Sequence, residues 1–124
     1  MENSTCQPLS EKSFYFGVCT YKICDDIVKS KKEWILARQR MRSSSAIGAL
    51  CAESEFAQSR PDFISKLSIA RKECHESRYW IKMMTATGLM TDSIANKLIL
   101  LADELMRLLT ASIKTAQRKM TKEK

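Results

Sequence analysis

Residues 59–88 read SRPDFISKLSIARKECHESRYWIKMMTATG, a helix start, a buried stripe and a helix stop in one run. Ser59 ahead of Pro61 and Asp62 marks an N-terminus, because a serine oxygen accepts from a free backbone N–H and proline in the first turn has no N–H to leave unsatisfied. From there Phe63, Leu67, Ala70, Cys74, Ser77, Ile81 and Met84 recur at alternating steps of four and three, which places them on one seam of a helix packed at a shallow crossing angle. Gly88 then supplies the left-handed stop. The unit is a long amphipathic helix that needs other helices against it.

The same logic divides the rest of the chain. Thr91 and Asp92 open a last helix, and Ser30 three residues before Glu33 has the spacing of a capping box, so a helix is expected to start there. Pro8 and Ser10 precede a first segment that runs to about Ser30. The expected helices cover roughly residues 10–30, 31–57, 60–87 and 92–120, without a linker, repeat or strand-like alternation, so residues 1–124 read as a single all-α domain. With 124 residues, 44% of them hydrophobic, the chain is long enough to bury a core without disulfides or metal.

The last helix carries two apolar seams. Ile94, Leu98, Leu101, Leu105 and Leu108 form one; Ala95, Ile99, Ala102, Met106, Leu109, Ile113 and Ala116 form the other, about 100° around. One seam suffices for a small bundle, so Ile99, Ala102, Met106, Leu109 and Ile113 are expected to meet a second copy of the chain. A wide core face within one chain is the alternative. Helix two is built from small residues, Ala37, Ser44, Ser45, Gly48 and Ala52, which predicts a close helix crossing. Arg40 falls among Leu36, Ile47 and Cys51, so its guanidinium needs an acidic partner, Glu73 or Glu76, or a water-facing inner surface of an oligomer.

The formal net charge of +7 is unevenly placed. Lys29, Lys31, Lys32, Arg38, Arg40 and Arg42 stand against Glu33 alone within residues 29–42, a net of +5; residues 107–124 reach the same value, and the remainder is mildly acidic. Two basic segments on an acidic body are the footprint of a polyanion binder, with Lys31, Lys32, Arg38, Arg42, Arg118 and Lys119 as the expected phosphate contacts. The alternative is a pair of solvated faces.

Catalytic and metal signatures are missing from the sequence. His75 is the single histidine and Lys72 stands three residues before it, which excludes a di-iron Glu-x-x-His pair of helices. There is no Cys-x-x-Cys, phosphate loop or nucleophile elbow, so neither metal, cofactor nor enzymatic activity is expected. Five cysteines without a paired pattern, no basic-then-apolar leader and no apolar run near the ~20 residues of a membrane span read as a reduced, cytoplasmic chain.

The run from Arg42 to Met84 resembles the four-helix-bundle family encoded in intervening sequences of bacterial 23S rRNA genes. The resemblance is carried by Gln39 and Arg42, the serine-rich turn, Ile47-Gly48-Ala49, Ala52-Glu53, Asp62-Phe63, Lys66-Leu67, Glu73-x-x-Glu76 and Tyr79-Trp80. It implies an antiparallel up-and-down bundle assembling into a ring-like homo-oligomer, commonly a pentamer, with a connection to RNA. A structurally similar group, the accessory subunits of diversity-generating retroelements, implies the alternative of a scaffold that binds a reverse transcriptase. The sequence departs from the family pattern at Met41, Ala46 and Leu50, where polar or basic residues are usual. Arg40, Glu53, Lys66, Glu73 and Glu76 are expected to form a structural polar network beside the core. In such a bundle the two basic segments are expected to converge on one rim.

Overall fold

A computed structural model describes residues 6–123, all of them in or between four helices. These are α1 (Cys6–Lys31), α2 (Ile35–Ser54), α3 (Arg60–Ala86) and α4 (Asp92–Glu123). Lys124, counted in the basic tail, lies outside the described residues, as do residues 1–5. The packed pairs are α1 with α2, α2 with α3, α3 with α4 and α4 with α1, the four sides of a square. Neighbours run antiparallel: on α2 and α3, Arg42 reaches Glu76 while Glu53 reaches Lys66.

Two of the three links form as their residues dictate. Ser59 Oγ accepts from the Asp62 N–H at 3.2 Å at the start of α3. Gly88, at φ 79°, ends it: the Leu89 N–H reaches the Met84 carbonyl at 2.8 Å and the Gly88 N–H reaches Thr85 at 3.1 Å, the paired bonds of a left-handed helix cap. Thr91 Oγ1 then accepts from the Ile94 N–H at 3.3 Å and opens α4.

The first link differs from expectation. Ser30 remains inside α1, where its hydroxyl donates to the Asp26 carbonyl at 2.7 Å, and the chain turns at Lys32 with φ 53°. Glu33 caps the next helix, its carboxylate accepting from the Leu36 N–H at 2.8 Å, so α2 starts at Ile35 and not at 31. A carboxylate three residues before a free N–H satisfies it without the reciprocal serine. At its other end α2 stops at Ser54, where the N–H groups of Glu55, Phe56 and Ala57 turn back onto carbonyls three residues earlier.

The core runs the length of the square, with Phe16, Ile47, Leu67, Ile81, Met84, Leu105 and Leu109 fully buried. Each such side chain is stabilised by about 1.5–3 kcal/mol of removal from water. Gly48 marks the close crossing of α1 and α2: a Cβ added there would stand 3.5 Å from the Ser13 carbonyl oxygen.

Both seams of α4 are used within the chain. Of the five residues expected to meet another copy, Ala102, Leu109 and Ile113 are buried within the chain, while Ile99 and Met106 are half-buried and pack against the core on one side. The two seams make one wide stripe because α4 sits in a corner of the square and faces two helices.

Candidate nucleic-acid interface

The connectivity separates the two basic segments. Lys31 Nζ donates to the Gly88 carbonyl at 2.7 Å, so the start of α2 adjoins the start of α4. At the opposite end, Ser54, Glu55, Ala57 and Arg60 share a groove with Ser112, Ala116 and Lys119 near the end of α4. In an up-and-down bundle α2 and α4 run the same way, so the expected convergence on one rim does not occur.

The six expected phosphate contacts are therefore scattered. Lys31 belongs to α1 and its ammonium is engaged by Gly88. Lys32 and Arg38 are exposed near the α1–α2 link. Arg42 is paired with Glu73, at 3.4 Å, and with Glu76, and the two carboxylates hold its guanidinium above its ordinary pKa. A cation neutralised by two carboxylates is not offered to a phosphate. Arg118 and Lys119 are exposed on α4.

What the fold does bring together lies along the outer side of α4. Arg107, Lys114 and Arg118 line one shallow groove with Met106, Thr110, Ala111 and Thr115. Arg71 of α3 donates to Thr110 Oγ1 at 3.4 Å and adds a fourth cation at its edge. Steps of seven and four residues set the three α4 cations about 10 Å and about 6 Å apart along the axis. No ion pair engages any of the four among the described residues. Of these only Arg118 was expected as a contact; the missed signal is the recurrence of cations on one helical face inside a segment read only for its total charge.

The polar residues of α2 and α3 fall into separate groups. Lys66 bridges Asp62 at 3.3 Å and Glu53 at 4.0 Å. Glu76 accepts from the Trp80 indole N–H at 3.2 Å, and that bond, with Arg42, holds its carboxyl below the usual range. Arg40 stands apart, fully buried, bonded to Ser44 and Ser77 with its guanidinium 4.9 Å from the centre of the Phe16 ring. Neither Glu73 nor Glu76 is its partner; both pair with Arg42. Burial pushes Arg40 down to about 10, so it stays charged at neutral pH. Burial also raises Cys24 to about 11 and Cys74 to about 12, which keeps both as thiols. Among the described residues no group of three or more His, Cys, Asp or Glu side chains is placed to hold a metal ion, and no helix is long and apolar enough to cross a membrane.

With this geometry in place, the family model for the 23S rRNA-intervening sequence protein matches residues 8–111, which takes in all of α2 and α3 and most of α1 and α4. The chain belongs to that family. A crystal structure of a protein with unknown function from the S23 ribosomal protein family of Bacteroides thetaiotaomicron VPI-5482 is similar to it at 34% identity, with a TM-score of 0.87 over 89% of this chain and 98% of that one. No curated protein matches.

The three positions expected to depart from the pattern of the 23S rRNA-intervening sequence family have these structural places. Leu50 packs against the core, and Met41 lines the outer groove between α1 and α2. Ala46 is half-buried on α2. The apolar side chain at Leu50 thus extends the packing of α2.

Proposed function

We propose that this chain is a non-catalytic protein that binds the phosphate backbone of nucleic acid along the outer side of α4. The observation that carries the reading is the row Arg107, Lys114 and Arg118, flanked by Arg71, with no carboxylate among the described residues engaging any of them. Unpaired guanidinium and ammonium groups at phosphate-like spacing supply sequence-independent affinity through counterion release. The family's tie to an rRNA gene makes RNA the favoured polyanion. If copies assemble into the ring that the resemblance implies, the row is repeated on each copy, and a weak single-chain site becomes a multivalent one.

Fluorescence anisotropy with an RNA duplex tests this. Three or four phosphate contacts predict a loss of about 40- to 150-fold in affinity between 50 and 200 mM salt. The triple substitution Arg107→Glu, Lys114→Glu and Arg118→Glu should abolish most of the binding and flatten its salt dependence. Unchanged affinity in the triple variant would overturn the proposal.

A further inference from the structure

We infer that the guanidinium of Arg40 and the hydroxyl of Thr20 hold a small monovalent anion, of the chloride class, inside the bundle between α1 and α2. The site is separate from the phosphate row of α4. A guanidinium carries five N–H donors and accepts nothing. Nη1 of Arg40 donates to Ser44 and Ser77, whereas Nε and Nη2 are buried without a hydrogen-bond partner among the described residues. Those two nitrogens form the side edge of a rigid planar fork, and such an edge grips an anion with two parallel N–H groups. Thr20 Oγ1 is likewise buried and without a partner. Thr20 stands one turn from Phe16, whose ring centre is 4.9 Å from the Arg40 guanidinium carbon. It stands one turn from Cys24 on the other side, whose thiol feels the Arg40 charge. Steps of four residues put all three on one stripe of α1, so the unpartnered hydroxyl lies on the stripe that faces the unpartnered edge.

Charge and proton count select the occupant. Arg40 is fully buried, and no carboxylate among the described residues pairs with it, since Glu73 and Glu76 both engage Arg42. A buried charge left without a counter-charge is strongly destabilising. Water does not relieve it. A water molecule brings two hydrogens that need acceptors, whereas the guanidinium has none to offer and the surrounding helical carbonyls are taken by their own helices. An ion without hydrogens accepts from Nε, Nη2 and the threonine O–H at once and cancels the charge. One guanidinium balances one negative charge, so a doubly charged phosphate would leave a buried excess of the opposite sign. Entry is short: Ser44 and Cys24, both beside Arg40, also line the outer depressions between α1 and α2, so one layer of small side chains separates the guanidinium from solvent. The bound ion would tie α1 to α2 where glycine and serine supply little apolar burial.

Bromide soaked into crystals tests the site directly, because it substitutes for chloride and scatters anomalously. An anomalous peak within hydrogen-bond distance of Arg40 Nε, Arg40 Nη2 and Thr20 Oγ1 is expected; a water there, with no anomalous signal, would refute the inference. Thermal melts at constant ionic strength, with chloride exchanged for the bulkier gluconate, read the same binding in solution. The midpoint should rise by about 5 °C for each tenfold increase in chloride above its dissociation constant. Thr20→Val should move that rise to higher chloride. Arg40→Met should abolish it, and the bromide peak in the wild type decides the matter should this variant misfold. The triple α4 substitution should keep the whole rise while lowering RNA affinity, so failure of this site and failure of the phosphate row are read separately. A midpoint indifferent to chloride, or a rise that survives in folded Arg40→Met, would overturn the inference.

Discussion

The α1/α2 side and the α3/α4 side of the bundle solve the same packing problem with opposite materials. On the first, Gly48 faces α1 so closely that an added Cβ would stand 3.5 Å from the Ser13 carbonyl oxygen, and the groove beside it is lined by Gly17, Ser44, Ala49, Phe14 and Tyr21 without a charge. On the second, long charged side chains bridge the helices: Arg78 lies 3.2 Å from Asp103, and Arg71 reaches Thr110. Close backbone contact consumes side-chain volume, so what would have been a polar surface becomes an apolar recess. Bridging by arginine does the reverse and leaves spare cations at the rim. The difference leaves an uncharged recess on the first side and the unpaired cations of the proposed phosphate row on the second.

The largest test of this separation acts on the core that both sides share. Leu109 of α4 is fully buried, so Leu109→Lys should unfold the chain, a buried unpaired charge costing about 3–5 kcal/mol. Leu100→Lys, on the same helix but 68% exposed, should change stability by less than about 0.5 kcal/mol. Thermal melts by circular dichroism compare the two. A Leu109→Lys protein as stable as the wild type would mean that this face of α4 is not packed inside the chain.

A smaller effect is expected where α1, α2 and α3 meet, at Arg40. Truncation by Arg40→Ala removes the partner of Ser44 and Ser77 and leaves a cavity, a loss of about 2–4 kcal/mol. Arg40→Met fills the space without charge, and Ser44 and Ser77 keep each other at 3.1 Å, so stability should be unchanged or higher. Urea denaturation distinguishes these outcomes. A methionine variant as unstable as the alanine variant would mean that the charge itself holds α1 against its neighbours.

Periodicity made the helices legible, because seams such as Phe63 to Met84 repeat over six steps and leave no strand alternative. It also placed Arg40 inward. It did not supply the partner of Arg40, since wheel geometry orders residues around one helix and says nothing about which acid on α3 lies level with which base on α2. The capping of α2 was ambiguous for a related reason: Glu33 satisfies a backbone N–H with or without Ser30. The separation of the basic segments, by contrast, follows from connectivity alone, as α2 and α4 share a direction. Neither the recess nor the cation row is legible in the sequence. Small residues on α2 signalled a tight crossing, but that the crossing opens outward as a recess depends on the register of α1. Arg107, Lys114 and Arg118 were visible as charge and became a row only once their face was known to be outward.

The smallest effect separates the ion-paired surface from the neutral one by pH. The Trp80 indole N–H and Arg42 hold the Glu76 carboxyl below its ordinary value, so folding gains from the ionised form. That gain is fully present above the unfolded pKa, about 4.5 for a glutamate, and is lost as pH falls through the lower folded value. Glu76 sits at the surface, so the gain is under about 1 kcal/mol. Thermal midpoints measured from pH 7 to pH 3 should therefore fall less steeply for Glu76→Gln than for the wild type, with the difference confined to the acid end. Equal acid slopes in Glu76→Gln and the wild type would mean that Arg42 is held loosely, which would return it to the cations available for phosphate and weaken the contrast between the two sides.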